Sequence, residues 1–208
     1  MAAALALASA DRLTAQASDS LASLPVADND ALRVCGLLPL SRIETADPEE
    51  RVALTADATW FIMEQEKDTS VEAFMASVKE RLRSDLASPD LPRILESIET
   101  LAPLCAQRWP FSQRSYPVAL PVSQFDRAGI CAMAGAMLSG MARNGRAPAT
   151  YAAAQVVISH TTSILSEKAL VKHGFKLRPG STAIGSAWLK AGHRIGNLNT
   201  ILTACSKA

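Results

Sequence analysis

Proline and cap residues cut this sequence into short runs, and within each run the apolar side chains recur every three or four residues, which is helix spacing rather than strand alternation. Asp47 stands before Pro48, with Glu49 and Glu50 next in line. A carboxylate there accepts from orphan N–H groups, proline loses nothing at the first helical position, and the two acids complement the positive end of the helix dipole. The body of that run carries Val52, Ala56, Trp60 and Met63 on one stripe. Thr69 and Glu72 form a capping box ahead of Val71, Phe74, Met75, Val78 and Leu82, while Lys79, Glu80, Arg81, Arg83 and Asp85 read as its solvated face. Ile94, Leu95, Ile98 and Leu101 mark a further helix, which Pro103 is expected to kink or end. Ser123 and Asp126 cap a helix bearing Ile130, Met133, Met137 and Met141, with Gly129, Ala132, Ala136 and Gly140 on a small-residue face and AsnGly at 144–145 as its stop. Pro148 opens a long helix predicted to reach His173 and end at Gly174; two short helices follow, 182–191 and 197–205. Upstream, 2–22 reads as an Ala/Leu-rich helix ended near Pro25, and 29–38 as a short helix stopped by Pro39.

The fold class this predicts is all-α, a multi-helix bundle-like core with an N-terminal helical arm and a proline-rich connector near 109–122. Aromatic residues make up only 5% of the chain, and strands favour them, so composition points the same way. Residues 1–46 are assigned to the arm and short helices, and 47–208 to the helical core, divided into an acidic subregion 47–110 and a basic subregion 111–208. The connector gathers Trp109, Phe111 and Tyr116 among three prolines and reads as an extended hinge packed by its aromatics. The opening MetAlaAlaAlaLeuAlaLeuAlaSerAla has no basic segment before it, and Asp11 interrupts it early, so it reads as an arm rather than a secretory signal. No run approaches the roughly 18 to 20 apolar residues of a membrane span.

Cys35, Cys105, Cys131 and Cys205 form no CxxC pair and have no histidine at zinc spacing. Set among apolar neighbours, they read as buried free thiols of a reducing, cytoplasmic environment. No GxSxG, HExxH or GxxxxGK[ST] motif occurs, and His160, His173 and His193 lie in no catalytic pattern, so neither catalysis nor a cofactor is expected.

Net charge of +1 hides a strong polarity: residues 1–110 hold 10 Lys and Arg against 18 Asp and Glu, whereas 111–208 hold 11 against 2. That asymmetry suits a polyanion, or head-to-tail pairing of neighbouring copies, and is otherwise a charge dipole with no partner. The cations cluster at helix ends and glycine turns. Arg143 and Arg146 straddle one end; Lys172, His173, Lys176 and Arg178 flank Gly174; Lys190, His193 and Arg194 flank Gly192. Glycine lets a phosphate backbone approach closely, although dipole compensation alone accounts for Lys172 and Lys190. ArgProGlySerThr at 178–182 gathers a guanidinium, two hydroxyls and free N–H groups, either as a phosphate pocket that includes Ser181 or as an ordinary Ser/Thr cap.

PheAsp at 125–126, opening an Ala/Gly-rich helix after a proline-broken aromatic segment, resembles the core of coat proteins from helical and filamentous plant RNA viruses, and LeuCysAlaGlnArgTrp at 104–109 is similar to that family's Cys-and-Trp stretch. The resemblance implies a largely helical subunit that holds single-stranded RNA in a groove without sequence preference, joins its neighbours through terminal arms, and resides in a virion. It also implies a buried salt bridge between Asp126 and an arginine. The arginine expected ahead of Cys105 is absent, so Arg108 and Arg114 stand as substitutes, and Arg127 occupies a position that is aromatic in flexuous members. The other reading is a cytosolic helical adaptor or regulatory protein that binds an acidic partner.

Overall fold

The computed structural model describes residues 28–65, 98–175 and 183–208, with isolated positions between 73 and 96. The predicted helix over 2–22 and the loop 178–182 lie outside the described residues, and of the helix predicted over 69–85 only Ala73, Glu80, Arg81, Arg83 and Ser84 are described, all five helical. Eight helices have described bounds: α1 Asp28–Leu40, α2 Pro48–Gln65, α3 Ile98–Arg108, α4 Gln124–Gly145, α5 Pro148–Thr162, α6 Glu167–Lys172, α7 Ala183–His193 and α8 Leu198–Cys205, with a short 3₁₀ turn at Pro110–Ser112. No strand occurs among the described residues, so the fold is all-α. No described helix is long and apolar enough to cross a membrane.

α2 is the axle of the molecule. Nine of its 18 residues are buried, including the unbroken run Ala58 to Met63. Its two sides serve different cores. Val52 and Ala56 pack with Ile130, Leu138 and Ala142 of α4, Ala154 and Val157 of α5, Trp188 of α7 and Ile201 of α8. Ala58, Trp60 and Phe61 pack with Leu37 and Leu38 of α1 and Leu101 of α3. A helix buried all round must satisfy its own polar groups, and Thr59, with no exposure, donates its hydroxyl to the Thr55 carbonyl at 2.7 Å. The small-residue face of α4 takes the contact with α7: an ideal Cβ at Gly129 would lie 2.0 Å from Trp188 Cε2, so only glycine admits the indole.

Several helix boundaries follow the sequence and others depart from it. The Asp47 carboxylate accepts from Glu50 N–H at 2.9 Å, and Ser123 Oγ accepts from Asp126 N–H, as the cap residues require. Gly174 takes φ +82, the left-handed conformation read as a helix stop. Pro39 does not stop α1, which runs one residue further and closes with Ser41 N–H on the Leu37 carbonyl. Pro103 does not end α3 either. It sits on the exposed side, while Leu101, Leu104 and Cys105 hold the helix inward. The long helix predicted over 148–173 is two: the Thr161 and Thr162 hydroxyls donate to carbonyls of the preceding turn, α5 ends at Thr162, and Ser166 caps α6 afresh.

The free-thiol reading is corrected outright. Cys35 is bonded to Cys105, joining α1 to α3, and Cys131 to Cys205, joining α4 to α8. Each bridge closes a long loop, with partners 70 and 74 residues apart, and each falls in or against a different core cluster. The spacing that argued against a metal site was silent on pairing, which folding alone supplies.

Candidate functional site

Chain polarity and spatial polarity differ, because α2 carries acidic residues into the basic half. Arg114 of the connector donates from Nε to Asp57 Oδ2 at 2.6 Å and from Nη1 to Glu50 Oε2 at 2.8 Å. The other Asp57 oxygen accepts from Asn197 Nδ2 at 3.2 Å and Asn199 Nδ2 at 3.0 Å. Asn197 is almost fully buried, caps α8 through Thr200 N–H, and donates to the Ser112 carbonyl at 2.6 Å. One carboxylate thus ties α2, the connector and α8 together. Burial pushes Asp57 up to about 6 against the pull of Arg114 and Asn199. Burial works against the charge on Arg114 too, but its bonds to Glu50 and Asp57 more than compensate and hold it above its ordinary range.

Glu49 makes the second cross-link between the halves. Its carboxylate accepts from Ala149 N–H at 2.8 Å, Thr150 N–H at 3.0 Å and the Thr150 hydroxyl, and so caps α5 from a different helix. Ala147 offers no side-chain cap of its own. The Thr150 hydroxyl bond holds Glu49 below the usual carboxylate range. The third is His193 Nε2, 2.7 Å from Glu64 Oε2.

That contact relocates His193, which the sequence placed among the polyanion contacts. The histidine is buried, its ring 4.6 Å from that of Trp60, whose indole N–H donates to the His193 carbonyl. It falls one helical turn after Leu189, on the inward face of α7. His173 is exposed at its edge yet stacked on Phe125 at 3.8 Å. Arg143, Arg146, Lys172, Lys190 and Arg194 are all exposed, and among the described residues none of them makes an ion pair. Lys176, Arg178 and Ser181 lie outside the described residues. The salt bridge that the coat-protein resemblance implies is not formed as expected: Asp126 is exposed in the first turn of α4, Arg114 is held by Glu50 and Asp57, and Arg108 sits 5.0 Å over the Trp109 ring.

Two open clefts meet at Arg114. One of about 470 Å³ is walled by α1, α2 and the connector, with Arg42, Glu50, Asp57 and Gln113 at its polar side and Leu38, Leu54 and Phe61 at its apolar side. The other, of about 500 Å³, lies between the connector and α8 and is lined by Arg114, Arg127 and Lys207, by Tyr116, by Val118 and Leu120 and by Ala208, with no acidic side chain among the described residues. Neither Arg127 nor Lys207 was among the cations singled out in the sequence for binding, since they stand alone rather than in clusters. Their isolation along the chain hid a convergence in space. Among the described residues no group of three or more His, Cys, Asp or Glu side chains is placed to hold a metal ion. Comparison with known proteins finds no matching family, no similar curated protein and no similar solved structure.

Proposed function

We propose that this chain is a structural binding protein that holds a polyanion, single-stranded RNA without sequence preference, on the exposed cations of its second half. The observation that carries the reading is the set Arg143, Arg146, Lys172, Lys190 and Arg194, exposed and without ion pairs among the described residues. A cation left facing water is ready to replace the counterions of a phosphate backbone. Self-association belongs to the same reading but takes a different basis from the one the charge pattern suggested. Glu49, Glu50, Asp57 and Glu64 already face partners inside the molecule, which weakens opposite-charge pairing between copies. The outer face of α5, which has no Asp, Glu, Lys or Arg and exposes Tyr151 and Val156, is the better surface for a second copy.

The disulfides bear on where this happens. Such bonds persist in oxidising surroundings and are rare in the cytosol, so we place the mature protein in an oxidising compartment or on a particle exposed to one. An adaptor for an acidic protein would use the same cations. The absorbance ratio at 260 and 280 nm of purified protein separates the two, with electron microscopy of the same material for assemblies. Copurifying nucleic acid removed by ribonuclease supports the RNA reading, and nucleic-acid-free material that binds no added strand overturns it.

A further inference from the structure

We propose that the cleft between the connector and α8 is a binding site for a nucleoside phosphate, a ligand whose anionic end and flat body match its two kinds of wall. Its cations come from three separate elements: Arg114 from the connector, Arg127 from the first turn of α4, and Lys207 from just beyond α8. Among the described residues neither Arg127 nor Lys207 makes an ion pair. Arg114 is oriented at this wall by Glu50 and Asp57, which engage Nε and Nη1 from the opposite cleft and share its charge, while Nη2 makes no bond among the described residues. Arg127 and Lys207, with the unbonded Nη2 of Arg114 beside them and no acidic side chain among the described residues of the lining, favour a compact anion, and a planar guanidinium matches phosphate oxygens in pairs.

The remaining walls suit the rest of such a molecule. Tyr116 presents a ring already packed 4.7 Å from Phe111, so a planar base meets a surface that need not be ordered on binding. Val118 and Leu120 continue the apolar side. The Thr203 hydroxyl donates to the Asn199 carbonyl and the Thr200 hydroxyl to that of Asn197, so what each can offer the cleft is an acceptor, the complement of a ribose hydroxyl. A volume of about 500 Å³ lies within the ordinary range for small-ligand sites. The site does not depend on the outer cations and stands whether or not they hold a strand.

Isothermal titration of the full oxidised chain with AMP, adenosine and a six-nucleotide single-stranded RNA tests this. The expected result is saturable AMP binding, with adenosine at least about tenfold weaker because the phosphate carries the recognition. Arg127→Gln and Lys207→Gln should each weaken AMP by about tenfold, with helical circular dichroism unchanged, whereas Arg143→Gln and Arg194→Gln should leave AMP untouched. Competition then identifies the source: AMP that displaces the six-mer marks the cleft as the seat of one nucleotide of a strand, and AMP that binds beside it marks a site for the free nucleotide. No AMP binding at millimolar concentration, or AMP binding indifferent to the paired Arg127→Gln and Lys207→Gln changes, overturns the proposal. Loss of six-mer binding on Arg143→Gln with AMP retained would concern the outer cations alone.

Discussion

The Asp57 carboxylate lies 2.6 Å from Arg114 Nε, so a residue from the acidic half holds the first cation of the basic half, 57 positions away, between two clefts. Asp57 titrates near 6 in the fold against an ordinary 3.8, and burial is the main cause. The native state therefore holds this proton more tightly than the unfolded chain. Its contribution to stability is full below about pH 4 and is lost as the pH rises through about 6, after which it is flat.

Urea unfolding at a series of pH values should show that decline, and Asp57→Asn should remove it. Arg114→Ala withdraws the only cation bonded to Asp57 among the described residues, so the carboxyl should rise further and stability at pH 7 should fall by about 1 to 3 kcal/mol, less than for a fully buried pair because the Arg114 side chain is 36% exposed. Adding Asp57→Asn to Arg114→Ala should recover part of that loss. An Asp57→Asn protein with the parent's slope between pH 4 and 6 would show that another group governs it.

Two glycines of α4 should respond in opposite directions. At Gly129 a methyl meets the Trp188 ring at 2.0 Å, and Gly129→Ala should cost about 1 to 3 kcal/mol or more as the indole is displaced. At Gly140 nothing among the described residues lies within 4 Å of the added atom, and Gly140→Ala should stabilise by about 0.5 to 1 kcal/mol through helix propensity alone. Thermal denaturation of the two variants checks the pair. Equal effects would contradict the α4–α7 packing.

What the sequence disclosed and what it withheld divide along the range of the interaction. The Asp47 and Ser123 caps, the left-handed Gly174 and the Val52, Ala56, Trp60, Met63 stripe depend on residues within a few positions of each other, and periodicity and cap chemistry reach that far. The sequence could not show that α2 is buried on both sides, since its second core forms only when α1 and α3 arrive. The same holds for Cys35 with Cys105, for Asp57 with Arg114, and for the convergence of Arg127 and Lys207 on one cleft. The break after Thr162 was local yet missed, because two hydroxyls competing for helix carbonyls leave the apolar pattern intact.

The disulfides should be measurable as missing thiols. Titration of the denatured, unreduced protein should find no reactive cysteine, and reduction should release all four. For loops of 70 and 74 residues, chain entropy puts each bond at about 4 kcal/mol, so reduction should lower the unfolding midpoint sharply. Four free thiols before reduction, in protein kept from air, would return the chain to a reducing compartment.

Arg146 separates stability from binding. It holds the left-handed position that ends α4, at φ 56, with its N–H on the Ala142 carbonyl. Arg146→Gly should relieve about 1 kcal/mol of backbone strain. It should also remove one proposed phosphate contact, so the midpoint of unfolding rises while affinity for RNA falls. A variant that is stabilised with RNA affinity unchanged would remove Arg146 from the binding surface.

The direct test of polyanion binding is the affinity of the full oxidised chain for a fluorescent, unstructured single-stranded RNA as a function of salt. Each phosphate contact contributes about −0.7 to the slope of log affinity against log salt, so five exposed cations, Arg143, Arg146, Lys172, Lys190 and Arg194, predict a slope near −3.5, reduced by about 0.7 for each changed to Gln. Absence of binding at about 50 mM salt, or an affinity that does not move with salt, would contradict the reading.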